Sequence, residues 1–209
     1  MTKKEIIHYF KELSILFPYP ARVILTGAVA GSIYGGVRAT MDIDFSLEFK
    51  THLESVKRKL WEEFRRATER VHDRTKISAQ YAEDIDRWSS ITYLDYKNHT
   101  KTFRKFGTIE VKILDPAYWA IGKFARFLLQ DERDLVQVLK KTKTNWKLLC
   151  RILGQALRKS PKSTVCFQFR NQVENFLKIH GREIWGKEFS VESAVHLFRQ
   201  SAGIRQNLP

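Results

Sequence analysis

Cysteine is scarce in this chain of 209 residues, with only Cys150 and Cys166. Both lie in segments of helical pattern, so we expect buried or partly buried thiols and neither a disulfide framework nor a metal site. The six histidines are scattered, and the chain has no His-x-x-x-His pair and no Cys-x-x-Cys motif. These absences argue against a zinc protein.

Long apolar runs are missing as well. No window approaches twenty uninterrupted apolar residues, so we expect neither a transmembrane helix nor a membrane partner. Residues 1–17 have apolar side chains at helical spacing and lack the apolar core and the cleavage site of a signal peptide. We therefore expect a cytoplasmic protein.

Acidic residues are few relative to basic ones, and the net charge is +14. The stretch from Leu135 to Val173 contains no acid at all. Nine lysines or arginines lie between Lys140 and Arg170. Such a stretch is typical of a surface that binds RNA through counterion release. The alternative, which the charge alone favours equally, is a solvated basic face of a helix.

Strand patterns and helix patterns mix in the first half of the chain. Short apolar or alternating segments predict strands at 22–26, 41–49, 89–97 and 107–114. A basic loop, NHTKTFRKF, joins the last two. Apolar side chains at helical spacing predict helices at 3–16 and 51–71.

Only helix patterns follow from Asp115 onward, where the pair Asp-Pro forms a good helix start. This distribution predicts an α+β fold, with a mixed sheet flanked by helices. We assign the sheet to a core of residues 1–115. Residues 116–209 form a helical part that we expect to pack on this core.

The alternating segment MDIDFSLEF is the most informative one. Side chains alternate across a strand, so Asp42 and Asp44 share one face. Met41, Ile43 and Phe45 are expected to point to the other face. Two carboxylates whose Cα atoms lie about 6.5–7 Å apart repel each other unless a cation intervenes. Mg²⁺ suits this pair because it binds to a few carboxylates together with substrate phosphates. The alternative is two solvent-facing acids.

The residues before the acid pair make the pattern more specific. Gly27 directly follows the strand RVILT and opens a segment of small residues, GAVAGS, where backbone amides can approach a phosphate. Arg38 and Thr40 then lead into the pair as Arg-x-Thr-x-Asp-x-Asp. This order of elements resembles the DNA polymerase β-like nucleotidyltransferase superfamily, above all its AbiEii-type and MenT-like toxin branch.

The resemblance implies specific roles for these residues. It assigns Mg²⁺ or Mn²⁺ binding and catalysis to Asp42 and Asp44. It assigns nucleotide binding to Gly27, Ala28, Ser32, Arg38 and Thr40. Ala28 stands where the family usually has Gly or Ser, and Ser32 lies one helical turn later.

A second match lies downstream, in DPAYWAIGKFARFLLQDERDLVQVL. In the toxin-like members, a lysine on the first helix after the sheet precedes an Asp-x-x-Asp at the start of the next helix. Lys123 and the pair Asp131 and Asp134 occupy these places. The resemblance implies that Lys123 contacts the nucleotide phosphates and that Asp131 or Asp134 orients it or the nucleophile. The alternatives are a surface lysine and an acidic first helical turn.

A third catalytic carboxylate is expected on a later strand. Glu110 in TIEVKIL and Asp95 in YLDY both fit an acid between apolar residues. Glu110 is slightly favoured. The acids of EDID at 83–86 are not favoured, because no glycine turn precedes them.

The resemblance implies an enzyme that transfers an NMP from an NTP to RNA, with tRNA as the acceptor that the basic stretch suggests. It also implies a toxin or phage-defence role, with a separate antitoxin as a partner. Two alternatives stay open: a catalytically inactive RNA-binding protein of the same fold, and an AMPylator of proteins.

Overall fold

The computed structural model describes residues 1–36 and 40–204. The described residues form eight α-helices, two short 3₁₀-helices and one five-stranded mixed sheet, which confirms the predicted α+β class. They divide into two compact units. The first unit comprises residues 1–33, 40–85 and 100–114. The second comprises residues 34–36, 86–99 and 115–204. The division at residue 115 stays a prediction.

The first unit contains the whole sheet. Its strands are β1 (Ala21–Leu25), β2 (Asp42–Phe49), β3 (Ser78–Ala82), β4 (Thr100–Phe106) and β5 (Ile109–Leu114). They lie in the order β3-β2-β1-β5-β4. β1 is antiparallel to β2 and parallel to β5, whereas β2 is parallel to β3. β4 closes the other edge, antiparallel to β5. The strand with the two aspartates therefore has a neighbour on each side.

Three helices complete the first unit: α1 (Lys3–Leu16), α2 (Gly27–Ile33) and α3 (Glu54–Thr75). α1 begins with a capping box formed by Thr2 and Glu5, which satisfies backbone amides of the first turn. Phe45 of β2 lies with its ring centroid 6.1 Å from that of Phe10 in α1 and 6.1 Å from that of Phe64 in α3. These aromatic contacts fix the apolar face of β2 against both helices.

The second unit is helical. Its α-helices are α4 (Pro116–Arg126), α5 (Leu129–Lys141), α6 (Trp146–Lys159), α7 (Thr164–Trp185) and α8 (Val191–Ser201). Asp115 caps α4 as predicted, accepting a hydrogen bond of 3.0 Å from the backbone amide of Ala117. Phe124 of α4 is fully buried and packs edge-on against Phe176 of α7. None of the helices in the described residues is long and apolar enough to cross a membrane.

One strand prediction is wrong. Segment 89–97 forms no strand, and its end belongs to a 3₁₀-helix, Tyr96–Asn98. The carboxylate of Asp86 explains this, because it accepts hydrogen bonds from the backbone amide of Tyr93 (2.6 Å) and the hydroxyl of Thr92 (3.0 Å). These bonds connect the segment to Asp86 and not to a neighbouring strand. The strand β4 lies instead in the predicted basic loop, and β3 has no counterpart among the predictions.

The buried ring of Phe45 offers a test of how β2 is held. We expect Phe45→Ala to lower the free energy of unfolding by about 3–5 kcal/mol, because it removes a fully buried phenyl group and leaves a cavity. Urea unfolding followed by circular dichroism measures this change. Phe167→Ala is the matched control, since this ring is 62% exposed and its loss is expected to change stability by less than about 0.5 kcal/mol. Equal losses of stability in the two variants would contradict the packing of Phe45 against α1 and α3.

Candidate active site

The two aspartates of β2 lie on the same face of the sheet. Asp42 and Asp44 are half-buried, and they alternate with Ile43 and Phe45, which are fully buried. The alternation predicted for these four residues is therefore present. Met41 departs from it, because it precedes the strand and is 88% exposed.

Gly27 makes room for one of these carboxylates. It is the first residue of α2, separated from β1 only by Thr26, and adopts a φ of +59°, a conformation that residues with a side chain rarely adopt. A Cβ atom at this position would lie 2.0 Å from Oδ2 of Asp44. The amide of Thr26 also donates to the carbonyl of Asp44, at 2.9 Å. Glycine is thus required here by both the backbone conformation and the close approach of the Asp44 carboxylate.

Both oxygens of the Asp42 carboxylate accept hydrogen bonds from uncharged side chains. Thr40 Oγ1 donates to Oδ1 at 2.7 Å, and Gln80 Nε2 donates to Oδ2 at 2.9 Å. Gln80 lies on β3, opposite Asp44 in the parallel pairing of β2 and β3. The sequence-based assignment missed Gln80. The only signal for β3 was the alternation in SAQYA, which is weak because Ser, Ala and Gln have low strand propensity.

The other nucleotide-binding candidates that the structure describes, Ala28 and Ser32, both lie in α2. Ser32 donates its hydroxyl proton to the carbonyl of Val29 at 2.8 Å, so this proton is used within α2. Ala28 is half-buried in the first turn of the same helix. Arg38 lies outside the described residues.

Glu110 shares the face of the two aspartates but lies far along the strand direction. On β5, Glu110 lies opposite Arg22 of β1. On the other side of β1, Arg22 lies opposite Glu48 of β2. Arg22 also forms ion pairs with Glu110 at 3.5 Å and with Glu48 at 3.6 Å. Glu48 is four residues from Asp44, about 13 Å at the rise of a β-strand. The structure therefore does not bring Glu110 together with the aspartate pair.

Asp95, the other candidate for a third acid, belongs to the second unit. Its carboxylate lies 3.2 Å from Nε2 of His99 and accepts a hydrogen bond of 3.5 Å from the hydroxyl of Tyr118. His99 stacks on the Tyr118 ring with a centroid separation of 4.2 Å. These contacts join the segment before β4 to α4 within the same unit.

Lys123 lies at the centre of a buried charge cluster in the second unit. Its Nζ donates to Asp131 at 2.9 Å and to Asp134 at 2.7 Å, and only 3% of the residue is exposed. Arg126, which the sequence-based assignment missed, donates two further bonds to Asp131, at 2.8 and 2.7 Å. These contacts join the end of α4 to the start of α5. Convergence of Lys123 with Asp42 and Asp44 on one cleft stays a prediction.

The carboxyl group of Asp131 is strongly acidic in this cluster. Burial by itself would raise its pKa, but the hydrogen bonds and charges of Arg126 and Lys123 outweigh burial and lower the pKa to about 2. The Leu128 backbone amide also donates to this carboxylate, at 3.2 Å. Asp131 therefore stays ionised over the whole physiological pH range.

The aspartate pair fits a divalent cation whose remaining ligands come from a phosphate-bearing substrate. Among residues 1–36 and 40–204, no group of three or more His, Cys, Asp or Glu side chains is arranged to hold a metal ion. Asp42 and Asp44 supply two carboxylates on one face, and Mg²⁺ is commonly bound by one or two carboxylates plus substrate phosphates.

Comparisons of the chain with known protein families, with curated proteins and with solved structures found no match. The nucleotidyltransferase resemblance therefore depends on the quoted motif residues. To these motif residues the structure adds the geometry around Asp42, Asp44 and Gly27.

The low pKa of Asp131 predicts a pH-dependent contribution to stability. Its folded pKa of about 2 lies below its ordinary value of 3.8, so the stabilisation is complete above pH 3.8 and is lost as the pH falls towards 2. We expect Asp131→Asn to lower the free energy of unfolding at pH 7 by about 3 kcal/mol, because Lys123 loses one of its two buried partners.

Urea unfolding at pH 7, pH 5 and pH 2.5 measures both effects. The wild-type protein is expected to lose about 2 kcal/mol more than the variant between the two lower pH values. Asp73→Asn, a change of the same chemistry at an exposed position of α3, is the control and should follow the wild type. An Asp131→Asn variant as stable as the wild type at pH 7 would show that the ion pair of Asp131 with Lys123 does not stabilise the fold.

Proposed function

We propose that this protein is a cytoplasmic, Mg²⁺- or Mn²⁺-dependent nucleotidyltransferase that transfers an NMP from an NTP to RNA, with tRNA as the favoured acceptor. The observation that carries the proposal is the pair Asp42 and Asp44 on one face of β2, with Gly27 packed against the carboxylate of Asp44. We further propose, from the family resemblance, a toxin or phage-defence role with an antitoxin as partner.

In this proposal, the two aspartates hold the cation against the triphosphate. A divalent ion bound there would neutralise charge on the phosphates and polarise the α-phosphate. Hydrogen bonds from Thr40 and Gln80 hold the Asp42 carboxylate, and the Asp44 carboxylate lies against Gly27. Both carboxylates are therefore preorganised, which is how enzymes lower the barrier to phosphoryl transfer.

The proposed reaction is an in-line displacement. A hydroxyl oxygen of the RNA forms a bond to the α-phosphorus while the bond from that phosphorus to the pyrophosphate oxygen breaks. The hydroxyl proton passes to solvent, and pyrophosphate leaves with the bonding electrons. A contact between Lys123 and the triphosphate stays a prediction from the resemblance, since its Nζ already donates to two carboxylates.

The RNA acceptor is supported by one face of α6. Lys147, Arg151 and Arg158 are all exposed, and the helical repeat puts them within about 40° of one another around the helix axis. Together they span about 16 Å along the axis. No acid lies between Leu135 and Val173, and the described structure gives none of the three an acidic partner. We call these three residues the α6 basic face.

The α6 basic face also supports a second candidate function. A catalytically inactive RNA-binding protein needs this face but no cation site. The absence of a third carboxylate beside Asp42 and Asp44 among the described residues favours this candidate. Measurements of nucleotide transfer and of RNA binding separate the two.

The enzyme proposal predicts that transfer depends on both aspartates. The protein is incubated with each α-³²P-labelled NTP, Mg²⁺ or Mn²⁺, and total RNA or protein. We expect label on RNA with the wild type and a loss of at least about 100-fold with Asp42→Ala or Asp44→Ala, because the preorganised charge that holds the cation is removed. Circular dichroism checks that the variants fold.

Glu48→Ala is the matched control, because Glu48 lies on the same strand and the same face but is paired with Arg22. It should retain activity. Label on a polypeptide would support protein AMPylation. If no nucleotide is transferred under any metal, the enzyme proposal is wrong and only the RNA-binding candidate remains.

The RNA proposal predicts a distinct salt dependence for the α6 basic face. Replacing Lys147, Arg151 and Arg158 together by Gln should weaken binding to tRNA. It should also reduce the slope of log K against log salt concentration by about 2–3, because three phosphate contacts are lost. Filter binding or fluorescence anisotropy at several salt concentrations measures this slope.

The control is a triple variant with the same loss of charge on α3, in which Lys59, Arg66 and Arg70 are replaced by Gln. These residues are exposed and lie among acids of the same helix, and Arg66 is paired with Glu63 at 3.2 Å. We expect a much smaller change in slope. Equal effects of the two triple variants would show that binding follows net charge and not the α6 basic face.

A further inference from the structure

Gln80 is an exposed residue beside the aspartate pair. It lies on β3, the strand that neighbours β2 on the side away from β1, and it stands opposite Asp44 in register. Its side chain reaches Asp42, with Nε2 2.9 Å from Oδ2. Gln80 is therefore the cross-strand neighbour of Asp44 and a hydrogen-bond donor to the Asp42 carboxylate.

The chemistry of an amide differs from that of a carboxylate in two ways that matter here. An amide donates to Asp42, which fixes the orientation of that carboxylate, whereas a carboxylate in the same place would repel it. An amide also adds no negative charge. With Thr40 donating to the other oxygen, Asp42 is held by two neutral donors and keeps lone pairs for a cation.

We propose that Gln80 is a positioning residue that orients Asp42 and limits the site to two negative charges, so that the site takes a divalent cation already bound to a triphosphate and not the bare ion. Two carboxylates leave most of the coordination shell of Mg²⁺ or Mn²⁺ to water or phosphate oxygens. The phosphates then supply the ligands that the protein lacks. This inference rests on the proposed function, because it assumes that the cation binds at Asp42 and Asp44.

Binding of Mn²⁺ to the full-length protein, measured by the electron paramagnetic resonance signal of the free ion, tests the inference without turnover. The titration is done alone and with a non-hydrolysable NTP analogue. We expect weak binding of Mn²⁺ alone and binding at least roughly 10-fold tighter with the analogue. Gln80→Glu adds a third carboxylate and should tighten the binding of Mn²⁺ alone by roughly 10-fold or more.

Gln80→Met removes the hydrogen bond to Asp42 at similar side-chain length. It should weaken binding of Mn²⁺ with the analogue by roughly 10-fold, and it should not tighten binding of the bare ion. Gln80→Asn can restore the donor, and any recovery relative to Gln80→Met marks the hydrogen bond as the cause. Thermal unfolding of each variant shows whether the fold is retained.

Two results would overturn the inference, and only the second would also overturn the proposed function. If Asp42→Ala abolishes Mn²⁺ binding but Gln80→Glu and Gln80→Met leave it unchanged, Gln80 plays no part at the cation and the proposed function stands. If Mn²⁺ binds to no form of the protein, with or without the analogue, the proposed function fails and the role of Gln80 fails with it.

Discussion

The alternating side chains of β2 connect the stability of the first unit to its candidate site. Ile43 and Phe45 are fully buried on one face, and Asp42 and Asp44 lie half-buried on the other. Because a strand has a side-chain period of two, a slip of one residue would carry both carboxylates into the core. Packing of Phe45 between α1 and α3 therefore sets the positions of the carboxylates on the opposite face.

The charge cluster of the second unit follows a different rule. Lys123, Asp131 and Asp134 are buried, and the exposed Arg126 donates to Asp131, so two positive charges balance two negative charges. Buried charges are tolerated when they are paired and hydrogen-bonded. A balanced cluster ties α4 to α5 without any ligand. The same balance means that a phosphate would meet less attraction there than at an unpaired lysine.

Charge is distributed unevenly over this basic protein, and the distribution agrees with the proposed chemistry. The α6 basic face offers positive charge without interleaved acids, which suits a polyanion. The aspartate pair is a local concentration of negative charge, and both a triphosphate and RNA would be repelled from it without a cation. The neutral Gln80 keeps that concentration at two charges. In the proposed function, a cation bound together with a triphosphate would offset the negative charge of both the aspartate pair and the phosphates.

The sequence alone was sufficient for the α+β class, for β1, β2 and β5, and for the shared face of Asp42 and Asp44, because these depend on local periodicity. It was not sufficient for β3, for the contact of Gln80 with Asp42, or for the distance between Glu110 and Asp44. Those depend on which strands pair and in which register, and pairing is decided by contacts between residues far apart in the chain. Segment 89–97 shows the same limit: its strand-like pattern was overridden by hydrogen bonds to the carboxylate of Asp86, a side chain outside the segment.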